Sequence, residues 1–135
     1  MTHIPLASRW SALAVESASA IARTTDDGFV SEPETLARLL ADSELLGTTL
    51  SEAVGRGFPV DHAMILAAES LLRAVIGVQP VLVAREVERV LQALDGDEVP
   101  EDELLTPSRV FSAASAVEGA LTVAYPRFFE TRTAA

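Results

Sequence analysis

Residues 61–94 read DHAMILAAESLLRAVIGVQPVLVAREVERVLQAL. Asp61 stands where a helix N-cap belongs, its short carboxylate able to accept from an N–H of the first turn. From there to Gly77 or Gln79 the residues are apolar nearly all round. The strongly polar interior positions are Glu69, Ser70 and Arg73, and with His62 they fall on one narrow stripe. A helix of that kind sits at the centre of a bundle or at a subunit interface. Pro80 lacks an N–H and crowds the carbonyl four residues earlier, so a break is expected there. Beyond it, Val81 to Leu94 forms a separate amphipathic pattern, with Val83, Val87, Val90, Leu91 and Leu94 opposed by Arg85, Glu86, Glu88, Arg89 and Gln92.

The same period recurs on both sides of this stretch. Before this stretch, residues from about Pro5 to Arg23 place Trp10, Leu13, Ala14, Ser17 and Ile21 on one face, and Asp26-Asp27-Gly28 breaks the pattern. A second helix is announced by Ser31-Glu32-Pro33-Glu34, a capping-box spacing with Pro in the first turn. Its stripe is Leu36, Leu39, Leu40, Leu46, Leu50 and Val54. Gly47 followed by two threonines weakens its middle, and a kink or break is expected at that glycine. After the stretch, Thr106-Pro107 opens a fifth helix, as N-cap followed by Pro at the first helical position. There Val110, Ala114, Val117, Leu121, Ala124 and Phe128 alternate spacings of four and three, the mark of a heptad seam. Pro126 should end or kink that helix near Ala124, leaving a frayed tail after Glu130. The fold expected is all-α, a single-domain bundle of about five helices spanning residues 1–135.

Composition supports this reading. Of 135 residues, 22 are Ala and only 7 are aromatic, an interior suited to closely packed helices. Two seams of small residues invite such packing: Ala7, Ser11, Ala14, Ala18 and Ala22 in the first helix, and Ala113, Ala116, Ala120 and Ala124 in the last. They are expected to pack closely, against each other within one chain or across a dimer.

The net charge is −10, with ten cations, all of them Arg. Such a surface repels phosphate backbones, so direct nucleic-acid binding is not expected, whereas a basic protein partner is electrostatically favoured. There is no Cys, which excludes disulfide and thiolate chemistry. The first residues lack the basic and apolar regions of a signal peptide. The most apolar run, Ala63 to Val83, contains Glu69 and Arg73, each costing about 2.5–3.5 kcal/mol at a membrane centre, so no span and no membrane partner is expected. The expected location is cytoplasmic.

No chemical signature accompanies the fold. Histidine occurs only at positions 3 and 62, and no Glu-x-x-His pair exists, so neither a di-metal carboxylate centre nor a zinc site is expected. The glycines form no phosphate-binding loop, and no cofactor is expected. Glu16, Glu69 and Glu118 could converge as an acid/base cluster, but each reads more simply as part of a solvated stripe or, for Glu69, as the i+4 ion-pair partner of Arg73. Two sets of residues remain as candidate sites. One is the polar stripe His62, Glu69 and Arg73, expected to be buried. The other is the acidic loop Asp95, Asp97, Glu98, Glu101, Asp102 and Glu103, either a solvated linker or a docking site for an Arg/Lys-rich partner. With nothing to supply a nucleophile or a placed base, the function expected is non-enzymatic: protein contact, as an adaptor, a regulator or a homo-oligomer such as a homodimer. A mean hydropathy of +0.28, high for a monomer of this size, supports it. The alternatives are a helical pocket for a small apolar ligand and an acidic mimic of nucleic acid.

A solvated acidic loop has a simple consequence. Replacing Asp97, Glu98, Glu101 and Asp102 by Ser should shift unfolding stability by no more than about 0.5 kcal/mol each in urea denaturation; a large loss would show that the loop packs or binds an ion.

Overall fold

The computed structural model describes residues 6–25, 30, 32–96 and 105–133, with side chains from 8 to 128 among these. Four helices account for the architecture: α1 (Leu6–Thr24), α2 (Pro33–Gly55), α3 (His62–Leu94) and α4 (Pro107–Thr133), with no strand among the described residues. The chain is an all-α bundle.

The local signals explain most helix starts. Asp61 is the N-cap of α3, its carboxylate accepting from the Met64 N–H at 2.8 Å. Pro33 and Pro107 are first helical residues, where a missing N–H costs nothing. Glu32 occupies the cap position of α2 without a side-chain hydrogen bond, and Ser31 of the expected capping box lies outside the described residues, as do Asp97, Glu98, Glu101, Asp102 and Glu103 of the acidic loop. α1 ends on Thr24 and Thr25, whose hydroxyls donate back to the carbonyls of Ala20 and Ile21 at 2.6 and 2.9 Å.

Among the described residues the helices number four, not five, because α3 does not break at Pro80. It runs 33 residues, roughly 50 Å, as one helix. The carbonyl that loses its partner belongs to Ile76, and both Ile76 and Pro80 are exposed, so water can take it. The residues that follow are mostly good helix formers, and Leu82 is buried. α4 likewise passes Pro126, also exposed, and continues to Thr133, beyond the point where a frayed tail is expected.

Around the bundle the helices stand in the order α1, α2, α4, α3. The broadest contacts join α2 to α4 and α1 to α3, with smaller ones between α3 and α4 and between α1 and α2. The connection from α2 to α3, residues 56–61, therefore crosses the diagonal. α3 and α4 run antiparallel, the start of one meeting the end of the other at His62 and Phe128, whose ring centroids are 5.8 Å apart. The core combines Ile21, Leu36, Leu40, Leu50, Leu71, Val75, Val78 and Val117, all essentially inaccessible. Trp10 adds a cross-link, its indole N–H donating to the Leu46 carbonyl at 3.0 Å.

Gly47 does not break α2. It lies buried in mid-helix where the backbone of α4 approaches most closely: a Cβ placed there would stand 2.5 Å from the Ala116 carbonyl carbon and 2.7 Å from the Val117 nitrogen. Ordinary carbon contacts are about 3.5–4.0 Å. The last small-residue seam takes part in this contact, with Ala113, Ala120 and Ala124 fully buried and Ala116 half-buried. The two seams do not face each other, however. α4 packs chiefly on α2 and α1 on α3, so the expected pairing of the chain's two ends is corrected to two separate contacts.

In a solvent-facing helix, Gly47→Ala would stabilise by about 1 kcal/mol. Here it should destabilise by about 1–3 kcal/mol, as overpacking does, with a lower melting temperature as the readout; a stabilised variant would show that α2 and α4 stand further apart.

Candidate functional site

The polar stripe of α3 does not form a buried site. His62 and Arg73 are exposed, and only Glu69 is half-buried. The i+4 pair with Arg73 does not form. Instead, Glu69 accepts a hydrogen bond from the Tyr125 hydroxyl of α4, 56 residues away. The arrangement ties the start of α3 to the end of α4 beside the His62–Phe128 contact. Its chemistry is that of a strut: one carboxylate, one phenol and an exposed imidazole. Glu16 and Glu118 are exposed on other helices, so the three glutamates do not converge. Among the described residues, no three His, Asp or Glu side chains come together as a metal site.

A cavity of about 290 Å³ opens where α1, α2 and α3 meet. Trp10, Leu50, Ala53, Phe58 and Met64 form apolar walls, with Thr49 and Arg56 as the polar groups. Its size is at the lower edge of small-ligand pockets.

The largest departure from an ordinary bundle surface is the second half of α3. The amphipathic stripe Val83, Val87, Val90, Leu91 and Leu94 is bare: each residue is between 50 % and 78 % exposed. The cause is length. α1, at 19 residues, spans roughly 28 Å, so the bundle core occupies only the first part of α3. Beyond Pro80 the start of α4 covers one side only, where Leu82, Arg85 and Arg89 meet Leu105, Thr106 and Pro107. The opposite side has no covering element among the described residues.

That bare side is regular. Ile76, Pro80, Val83, Val87, Val90 and Leu94 follow spacings of four and three, a heptad seam, with Ala84 and Leu91 beside it. At its lower end Ile76 and Gln79 share a cleft of about 540 Å³ with Pro107, Val110, Phe111 and Ala114. Phe111 is 72 % exposed there. Aliphatic and aromatic surface thus continues from α4 onto the projecting part of α3. The edges are acidic: at 100° per residue, Glu86 lies on one flank, Glu88 and Asp95 on the other, and all three are exposed. Arg85 and Arg89 are on the back of the helix, half-buried, where Arg89 pairs with Glu86 at 3.5 Å.

Sequence reasoning found these apolar residues but read them as one side of a separate amphipathic helix after a break at Pro80. Pro80 fits a continuous helix only on an exposed side, and it lies on the same seam. Of the acidic loop, Asp95 is exposed directly after α3, and the other five carboxylates are outside the described residues. No protein family, curated protein or solved structure matches the chain.

If Glu69 and Tyr125 act only as a strut, Tyr125→Phe should cost about 1 kcal/mol in urea denaturation, the net worth of one partly exposed hydrogen bond. Arg73→Ala should be nearly silent, and a cost above about 1 kcal/mol for it would restore the ion pair.

Proposed function

We propose that this protein is non-enzymatic and works by protein contact, with the projecting half of α3 as its contact surface. One observation carries the reading: a regular seam of Val83, Val87, Val90, Leu91 and Leu94 left exposed on a helix whose first half buries Met64, Ala68, Leu71, Val75 and Val78 in the core. Scattered apolar residues on a surface are ordinary, but contiguous ones aligned along three helical turns are the mark of a partner-binding face. The partner lies along α3 as a helix does in a coiled coil, so the role is that of an adaptor, a regulator or a self-associating module. The setting that suits an uncapped apolar seam on a chain with no Cys is cytoplasmic. α3 is long and apolar enough to cross a membrane by composition, yet its first half contributes Leu71, Val75 and Val78 to the interior, as a core helix does.

A second reading is supported by the cavity at Trp10, Phe58 and Met64: a small apolar ligand held between the helices. Its polar equipment is slight, one threonine and one exposed arginine at the edge, which is why protein contact stands first.

Because the seam is already in water, Val87→Asp and Leu91→Asp should each leave stability within about 1 kcal/mol of the parent. A photo-activated cross-linker placed at Val87 or Leu91 in cells should give protein adducts, and one at Glu44, exposed on α2, should not. Destabilisation by several kcal/mol, or equal adducts from both helices, would contradict the reading.

A further inference from the structure

We infer that the occupant of the α3 seam is a basic amphipathic helix of another protein, an inference that rests on the contact-surface reading and adds the partner's chemistry. The seam from Ile76 to Leu94 covers 18 residue steps, roughly 27 Å, which accommodates a partner helix of about 18 residues. Its floor is mostly aliphatic, with the exposed Phe111 ring and the polar Gln79 and Ser108 at its lower end, so it asks for apolar side chains at i, i+3, i+4 and i+7, the helix-in-groove mode.

The flanks decide the charge. Glu86 borders one side, and Glu88 and Asp95 the other. The cations of this region, Arg85 and Arg89, are on the far side of the helix against the start of α4. A helix docked on the seam therefore meets the exposed Glu88 and Asp95 on one flank and Glu86, paired with Arg89, on the other, and the exposed Arg73 only at the seam's lower end, one turn before Ile76. Arg or Lys at the positions bordering its own apolar stripe would complete these edges, as charged flanks do in coiled coils. The chain's overall charge of −10 steers such a partner inward and repels acidic ones.

The same edges disfavour the other occupants. A second copy brings its own Glu86, Glu88 and Asp95 along the same edges, and each copy adds a net charge of −10. An anionic membrane surface is repelled for the same reason.

The test uses the full chain and two fluorescent 18-residue synthetic helices, both with Leu at heptad positions a and d, one with Arg at e and g, the other with Glu. Fluorescence anisotropy should show the Arg helix binding at least tenfold more tightly. Val87→Asp combined with Leu91→Asp should abolish that binding although it makes the protein more acidic, which separates docking on the seam from charge attraction alone. Glu86→Gln combined with Glu88→Gln should weaken it several-fold and flatten its salt dependence. Equal binding of both helices, no binding of the Arg helix, or undiminished binding by the Asp variant would overturn the inference. Sedimentation velocity of the protein alone distinguishes the two levels of the argument. A dimer at micromolar concentration that the Asp variant converts to monomer overturns the basic partner and keeps the seam as a protein-contact face. Capture of the parent, but not the Asp variant, by phosphatidylcholine vesicles, with neither helix bound and no dimer, overturns both.

Discussion

The backbone contact between Gly47 and Ala116 sets the geometry on which the bundle depends. Two helices approach this closely only if one of them presents no side chain at the crossing, and α2 does so at the centre of its leucine stripe. Alanines at 113, 120 and 124 extend the close contact along α4. An alanine-rich, aromatic-poor interior then becomes sufficient, because thin side chains fill a narrow space at native density. Larger buried groups come from the other helices, Trp10 and Ile21 from α1, Leu36, Leu40 and Leu50 from α2, and Leu71 and Val75 from α3.

A narrow core around short helices also fixes how much of α3 it can use. α3 is the longest element, and its buried residues stop at Leu82. What projects beyond is held from one side by the start of α4 and is bare on the other. The asymmetry has a charge counterpart, since the arginines of the projecting part face the bundle and the glutamates border the bare seam. Packing and electrostatics therefore divide the same helix into a structural half and a half whose apolar surface is offered outward. The Glu69–Tyr125 bond belongs to the structural half; it fastens the opposite end of the α3–α4 pair.

Much of this was legible in the sequence where local rules apply. The Asp61 cap, the proline starts at 33 and 107, the α2 leucine stripe and the α4 heptad are all properties of a few neighbouring residues, and the structure contains each of them. The misreadings share one cause: they concern what lies opposite a residue in space. Gly47 has a poor helix propensity whether or not another backbone is near, so the sequence suggested a kink where there is a contact. Pro80 breaks a helix only if its orphaned carbonyl cannot reach water, and that depends on which side faces out. Glu69 has a plausible local partner in Arg73 and an actual one 56 positions away. The seam from Val83 to Leu94 has the same periodicity as a core-facing stripe, and only the relative lengths of the helices show that no described element covers it.

The exposed seam requires α3 to be one helix that outruns its bundle, and a distance along it tests this most directly. The chain contains no Cys, so spin labels can be attached at Arg73→Cys and Gln92→Cys, both exposed. A continuous helix separates these positions by 19 steps, about 28 Å, and pulsed electron spin resonance should return a single narrow distribution near that value. A break at Pro80 that folds residues 81–94 back on the bundle, with packed axes about 8–10 Å apart, would bring the labels to under roughly 20 Å. That result would cover the seam and contradict the account.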